Sequence, residues 1–279
     1  MLLRDSVFPG TPTGAHAPRL GHVVVTRYAM RVYRDRAGLT DRGEYVAWLK
    51  HRLTVFEQVC LPSVTGQKKR PDRWLLGLDH AHADDLEDLV DLVAPYPWIE
   101  PVWQHAEDDG DDLGWRLPFQ RRLADLADRW DAVATTRVDN DDALALTYIS
   151  DVHRYSTAVF NATPDASDFW IAFTSGAQLV DQHLYSYIHH SPHFLTRVRR
   201  TPLPDDPLAD VMGVEHANVS KDPNRTVYRP LTSQPMWLEN VHERNVSNAD
   251  RALLVEFDRS VLALFGLETP SPEMVGRRR

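Results

Sequence analysis

The sequence predicts an α/β fold with a mostly parallel sheet flanked by helices. Three observations predict it. Short apolar runs alternate with helix-period segments from residue 22 to about 155. Runs such as "HVVVT" and "AVATT" show no polar alternation, as suits strands covered on both faces. Several of these runs end on a charged residue, at the strand edge where such sheets present ligand sites.

Taken in order, "HVVVTRYAM" (22–30) is the first strand. In "EYVAWLKHRLTVFEQVCLPSV", Tyr45, Trp48, Leu49, Leu53, Phe56 and Val59 recur at helical spacing, and Pro62 is expected to close that helix. "RWLLGLD" (73–79) is a second strand, and "DDLEDLVDLVAPYP" a helix begun by a capping aspartate and ended at Pro95. "WIEPVW" (98–103) is a third strand. "DDGDDLG" is an acidic loop, and "WRLPFQRRLADLADRW" a helix with Leu123, Leu126 and Trp130 on one face. "AVATTRV" is the fourth strand, followed after the acids by a helix carrying Leu144, Tyr148, Val152 and Tyr155.

Beyond residue 160 the pattern loosens. "DFWIAFTSGAQLVDQHLYSYIHH" reads as two strands about a Ser-Gly turn. "RRTPLPDDPLAD" is a surface loop and "QPMWLENVHERNVSN" irregular chain. "NADRALLVEFDRSVLALFG" is a last helix capped by Asn248, with Leu254, Phe257 and Val261 on one face and Gly266 as its stop. Residues 1–21 are expected as a flexible lead-in, 22–266 as a single domain of two halves (22–145 and 146–266), and 267–279 as a tail.

Composition narrows the partners. A chain of 279 residues with 43% hydrophobic content can bury a sizeable core, and its formal charge of −9 argues against a nucleic-acid partner. The single cysteine, Cys60, cannot form an intramolecular disulfide and sits among core-type residues. No stretch reaches the ~20 apolar residues of a bilayer span, so no integral membrane segment is expected. The prolines and charges of the N-terminus do not make a signal sequence. The expectation is a cytoplasmic protein whose "NAT", "NVS", "NRT" and "NVS" triplets are incidental.

The chemistry concentrates at "TTRVDNDDALAL", which sets Asp139, Asp141 and Asp142 within four positions at a strand end. Crowded carboxylates favour protonation unless a cation or hydrogen-bond donors offset their repulsion. Two acids one residue apart can share a hard divalent ion such as Mg²⁺ or Mn²⁺. They can equally cap a helix beginning near Ala143. Thr26, Arg27 and Asp79 fall at the same carboxyl edge. Six histidines (His183, His189, His190, His193, His216 and His242) leave a metal-dependent hydrolase open, although their spacing matches no compact ligand motif.

"TRVDNDDAL" resembles the Asp-any-Asp signature of nucleotide-sugar-dependent glycosyltransferases of the GT-A fold, which is Rossmann-related. Together with "HVVVTRYAM", "WLKHRLTVFEQVCLPSVTGQ", "RWLLGLD" and "PMWLENVHERNVSN", it is similar to the bacterial putative rhamnosyltransferase family. The resemblance implies a nucleotide-sugar-binding half (22–145) and a small mixed α/β acceptor half (146–266). Asp139 and Asp141 would hold Mn²⁺ or Mg²⁺ against the donor's diphosphate, with His242 as a further ligand. Thr26, Arg27, Asp79, Arg137 and Asp139 would line the donor site, although Arg137 could serve only as an ion pair to Asp139. Trp237 would stack on a sugar or fill the core, and Asn245 and Asn248 would reach substrate.

An inverting transfer also needs a carboxylate base, and among Asp181, Asp205, Asp206, Asp210 and Glu215 the expectation falls on Glu215. "SPHFLTRVRR" stands where the family pattern expects an acid and offers arginines instead. The expected activity is a metal-dependent transfer of a sugar, rhamnose among the candidates, from a nucleotide-diphosphate donor to a carbohydrate, lipid-linked or small-molecule acceptor. A non-catalytic GT-A-like nucleotide-binding or scaffold protein is the alternative.

Overall fold

The structure is a computed structural model, described here for residues 18–32, 38–108, 114–180, 182–203, 211–242 and 255–267. Strand β1 (Leu20–Ala29) lies at the middle of the larger sheet and is buried along nearly its whole length. It pairs in parallel with β2 (Arg73–Asp79) on one side and β4 (Ala132–Arg137) on the other, and β3 (Ile99–Gln104) extends the parallel set beyond β2. Being covered on both faces is why "HVVV" shows no alternation. Val24, Trp74 and Leu76 enter one core with Tyr45, Phe56 and Tyr148, while Val23, Val25 and Leu75 enter the other with Phe119 and Leu123.

The second half does not form a separate layer throughout. Strands β6 (Asp168–Ala172), β9 (Leu195–Arg200) and β10 (Val227–Tyr228) continue the same sheet in the order β10-β6-β9-β4-β1-β2-β3. Strand β9 runs antiparallel to both β4 and β6. Its amino end therefore lies beside the carboxyl end of β4. A second, four-stranded sheet has the order β5-β11-β7-β8, from β5 (Ala143–Leu144), β7 (Ser175–Val180), β8 (His183–Ile188) and β11 (Trp237–Val241). The whole is a mixed α/β structure with a mostly parallel sheet flanked by helices, as expected from the sequence. No helix among the described residues is long and apolar enough to cross a membrane.

Several elements depart from expectation. Helix α1 (Arg42–Val55) passes through a π-helical segment (Phe56–Cys60) into α2 (Leu61–Thr65), so Pro62 does not close it. Pro62 sits in the first turn of α2, where a missing N–H costs little. Helix α3 (Glu87–Val93) has no capping aspartate; the cap belongs to Asp79, which accepts from Ala81 N at the 3₁₀ turn His80–Leu86. Helix α4 (Leu117–Ala127) stops short of Trp130.

The largest departure follows the acids. Helix α5 spans Tyr148–Ala162 and does not begin near Ala143. Ala143 and Leu144 instead pair antiparallel with Leu238 and Trp237 as β5, because tertiary pairing outweighs their helical preference. "DFWIAFTSGAQLVDQHLYSYIHH" holds three strands, with Ser175 and Gly176 inside β7. "QPMWLENV", expected irregular, contains β11. The last helix is a 3₁₀ helix, Arg259–Phe265, capped by Asp258 and stopped at Gly266 (φ 70°). Asn245, Asn248 and Leu254 lie outside the described residues, as do Asp181, Asp205, Asp206 and Asp210.

Candidate active site at the acidic turn

The acidic turn leaves β4 and doubles back, with Asp142 N donating to the Asp139 carbonyl at 3.2 Å. Its three carboxylates meet three different sets of partners. Asp139 takes Arg137 Nη2 at 3.0 Å and has Arg27 Nη2 at 3.6 Å. Burial works to raise its carboxyl, but the charges of Arg137, Arg27 and His193 outweigh it and hold the group far below the usual range. Arg27 comes from the carboxyl end of β1 and lies over the Trp115 ring at 5.1 Å.

Asp141 meets His242, which follows β11, with Nε2 3.2 Å from Oδ2. Burial again works to raise this carboxyl, while the His242 hydrogen bond and the Arg52 charge lower it, and lowering wins. Asp142 behaves oppositely. Its Oδ1 accepts the Asn240 N–H at 2.9 Å and its Oδ2 lies 2.8 Å from His193 Nε2. Burial dominates there; against the His193 hydrogen bond, and helped by repulsion from Asp141 and Asp139, it pushes the carboxyl up to about 8. Three acids on one turn are thus shifted in unlike directions, by burial, by their partners and by one another.

Among the described residues, Asp139, Asp142 and His193 offer ligand atoms that all lie within 4.8 Å of one another. Of the residues expected from the sequence, the structure brings Asp139 together with Arg27 and Arg137, and Asp141 with His242, while Asp139, Asp141 and His242 do not form such a three-residue group. Thr26 does not face the site. It is fully buried, and its hydroxyl donates to the Val138 carbonyl and accepts from Trp74 Nε1, both at 2.9 Å. Asp79 is buried at the end of β2, where Arg31 Nη2 lies 3.4 Å from its Oδ1. Glu215 is exposed and accepts from Asn218 Nδ2 at 3.1 Å, while its neighbour His216 is in ring contact with His193 at 5.9 Å. Burial, with the Arg137 charge, lowers His216 to about 3. Trp237 fills the core: it is 1% exposed, stacks on Phe194 at 4.9 Å and donates to the Phe173 carbonyl.

Two residues of the site carried no such role in the sequence reading. His193 appeared only among dispersed histidines, and Asp142 only as a helix cap. The signal for His193 is its place two residues before β9, since an antiparallel neighbour of β4 must begin where β4 ends. Asp142 caps no helix because none starts there; it braces the turn against β11. His183 stays apart, paired with Glu256 at an exposed position.

Comparison with known proteins adds the following. The family model described as "Putative rhamnosyl transferase" matches residues 45–253. No curated protein matches. Solved structures similar to this chain include 4-diphosphocytidyl-2C-methyl-D-erythritol synthase from Anaerococcus prevotii DSM 20548, at 12% identity and TM-score 0.34, covering 88% of this chain and 94% of that one. Another is the inositol-1-phosphate CTP transferase from T. maritima, at 10% identity and TM-score 0.35, covering 88% and 95%.

Proposed function

The chain belongs to the family described as "Putative rhamnosyl transferase", and on that premise we propose that it transfers a sugar from a nucleotide-diphosphate donor to an acceptor hydroxyl. A divalent cation, Mn²⁺ or Mg²⁺, is held at the acidic turn by Asp139, Asp141 and His242 in this reading. The observation that carries it is the 3.2 Å contact between His242 and Asp141, which joins two motifs 101 residues apart. Carboxylate oxygens with one imidazole form a donor set that first-row divalent ions accept. Asp139 and Asp141 are both held ionised, so neither must lose a proton before binding. When bound, the cation would offset the charge that collects on the departing nucleoside diphosphate.

The chain's own residues supply the rest. Arg27 and Arg137 anchor Asp139 and would direct further N–H donors at phosphate oxygens. Asp79, at the end of β2, is assigned to the nucleoside side. Glu215 is assigned the acceptor's proton, and Glu215→Gln tests it through kcat. A second reading has one specific observation in its favour: Asp139, Asp142 and His193 could hold the ion instead, their ligand atoms being within 4.8 Å of one another. Against it, Asp142 already uses both oxygens, one on the Asn240 N–H and one on His193.

The test is a thermal-shift panel of uridine, thymidine and guanosine diphosphates with and without Mn²⁺. A shift specific to one base and dependent on metal is expected, lost in Asp141→Ala and His242→Ala and retained in Asp142→Asn and His193→Gln. The reverse pattern would select the second cation position. A flat panel for the wild type would sink the proposal. Turnover of a nucleotide sugar separates an enzyme from a binding-only scaffold.

A further inference from the structure

Helix α1 presents Trp48, His51, Arg52 and Val55 at the i, i+3, i+4, i+7 spacing of one helix face. Arg52 is buried, with 6% exposure, and its guanidinium lies over the Trp48 ring at 4.4 Å. From there its Nη2 donates to Oδ1 of Asn140, the fully buried residue between Asp139 and Asp141. The Asn140 Nδ2 has no hydrogen-bond partner among the described residues. The hydrogen bond that orients this amide is therefore the one from Arg52. Immediately before Arg52 in the helix, the His51 ring meets the His242 ring edge to face at 5.2 Å.

We propose that Arg52 is a positioning residue for the cation site, gripping the acidic turn through Asn140 so that Asp141 is presented to His242. The inference rests on the cation reading above. A buried Arg is costly unless its charge is compensated, and here Asp141 of the turn lies within the field of that charge. Stacking on Trp48 leaves the guanidinium little freedom, so the turn inherits the rigidity of α1. His51 braces the other ligand-bearing segment from the same helix. One helix face thus spans the turn after β4 and the residue after β11, segments that share no sequence proximity. Groups behind the ligands that fix their orientation commonly contribute about 10–100-fold to metal affinity.

The experiment is a Mn²⁺ titration of the full chain, read by electron paramagnetic resonance of free Mn²⁺, with and without the nucleoside diphosphate that the panel selects. Arg52→Ala and Asn140→Ala should each weaken Mn²⁺ binding about 10–100-fold while the far-ultraviolet circular dichroism is retained. The double variant should be no weaker than the worse single, because the two residues act as one unit. Arg52→Lys keeps the charge and should recover part of the affinity. Wild-type Mn²⁺ affinity in folded Arg52→Ala, or additive losses in the double variant, would overturn the assignment and leave the proposed function standing. If Arg52→Ala does not fold, Asn140→Ala decides alone: unchanged affinity overturns the proposal. A wild type that binds no Mn²⁺ under either condition removes the cation reading and this inference with it.

Discussion

The Oδ2 of Asp142 and the Nε2 of His193 lie 2.8 Å apart, although 51 residues separate them in the chain. The same carboxyl accepts the Asn240 N–H, so Asp142 ties the acidic turn to β11 and to the segment before β9. Asp142→Ala leaves both donors without their acceptor inside the fold. It should lower the unfolding free energy by about 1–3 kcal/mol, read by urea denaturation. Asp142→Asn, which keeps an acceptor, should lose less than half of that. An alanine variant as stable as wild type would show that the brace carries nothing.

Thr26 offers a separate test of where structure ends and site begins. Thr26→Val keeps the shape but leaves Trp74 Nε1, in a fully buried ring, without its acceptor. A stability loss of about 1–3 kcal/mol is expected, with nucleoside diphosphate affinity changed less than twofold. A large loss of affinity at unchanged stability would return Thr26 to the donor site.

Arg137 and Arg27 should behave in the opposite way. Both flank Asp139, and removing either charge weakens the field that would receive a diphosphate. Arg137→Gln is expected to reduce nucleoside diphosphate affinity about tenfold, on the scale of one charge-assisted hydrogen bond. Isothermal titration calorimetry measures it, and equal affinity in variant and wild type would contradict the placement.

Acid sensitivity should come in part from the far end of β1. His22 is fully buried and stacks on His153 at 5.5 Å. Burial, then their mutual repulsion and the Lys69 charge, hold His22 well below its usual value; burial and Lys69 lower His153 to about 4. A folded pKa below the unfolded one means that the unfolded chain takes the proton first. Stability from these groups is thus complete above about pH 6.5 and lost as pH falls towards 4, by up to about 1.4 kcal/mol per pH unit per proton. Asp142, raised in the fold, works in the other direction, so the test is a difference: His153→Gln should show a shallower loss between pH 6.5 and 4 in urea melts than wild type. Parallel curves would refute it.

Close packing yields a further prediction. A Cβ on Gly176 would collide with the Trp237 indole, which is itself wedged against Phe194 and Tyr187. Gly176→Ala should cost about 1–3 kcal/mol, the usual penalty of overpacking, and a thermal melt reads it directly.

How much of this could be read beforehand differs by residue. "HVVVT", "RWLLGLD" and "AVATTR" were legible as covered strands, because burial on both faces leaves an uninterrupted apolar run whatever the neighbours are. The place of the acids at the carboxyl edge, after β4, was legible for a similar reason, since any parallel sheet brings its carboxyl ends together. Leu144 was misread as helical, because the turn chemistry before it and the period after it resemble a helix start. Only pairing with Trp237 makes it a strand.

The amino-acid sequence by itself determined the layers, the charge of the turn and which edge of the sheet carries it, since periodicity and strand-end chemistry act within a few residues. Tertiary structure decided how each acid's titration is shifted, because the shifts depend on burial and on groups such as Arg52, His193 and His242. These residues arrive from α1, the β9 edge and β11, and their arrival is set by strand order and register. A carboxylate's charge follows the groups within a few ångströms of it, and here those groups are distant in the chain.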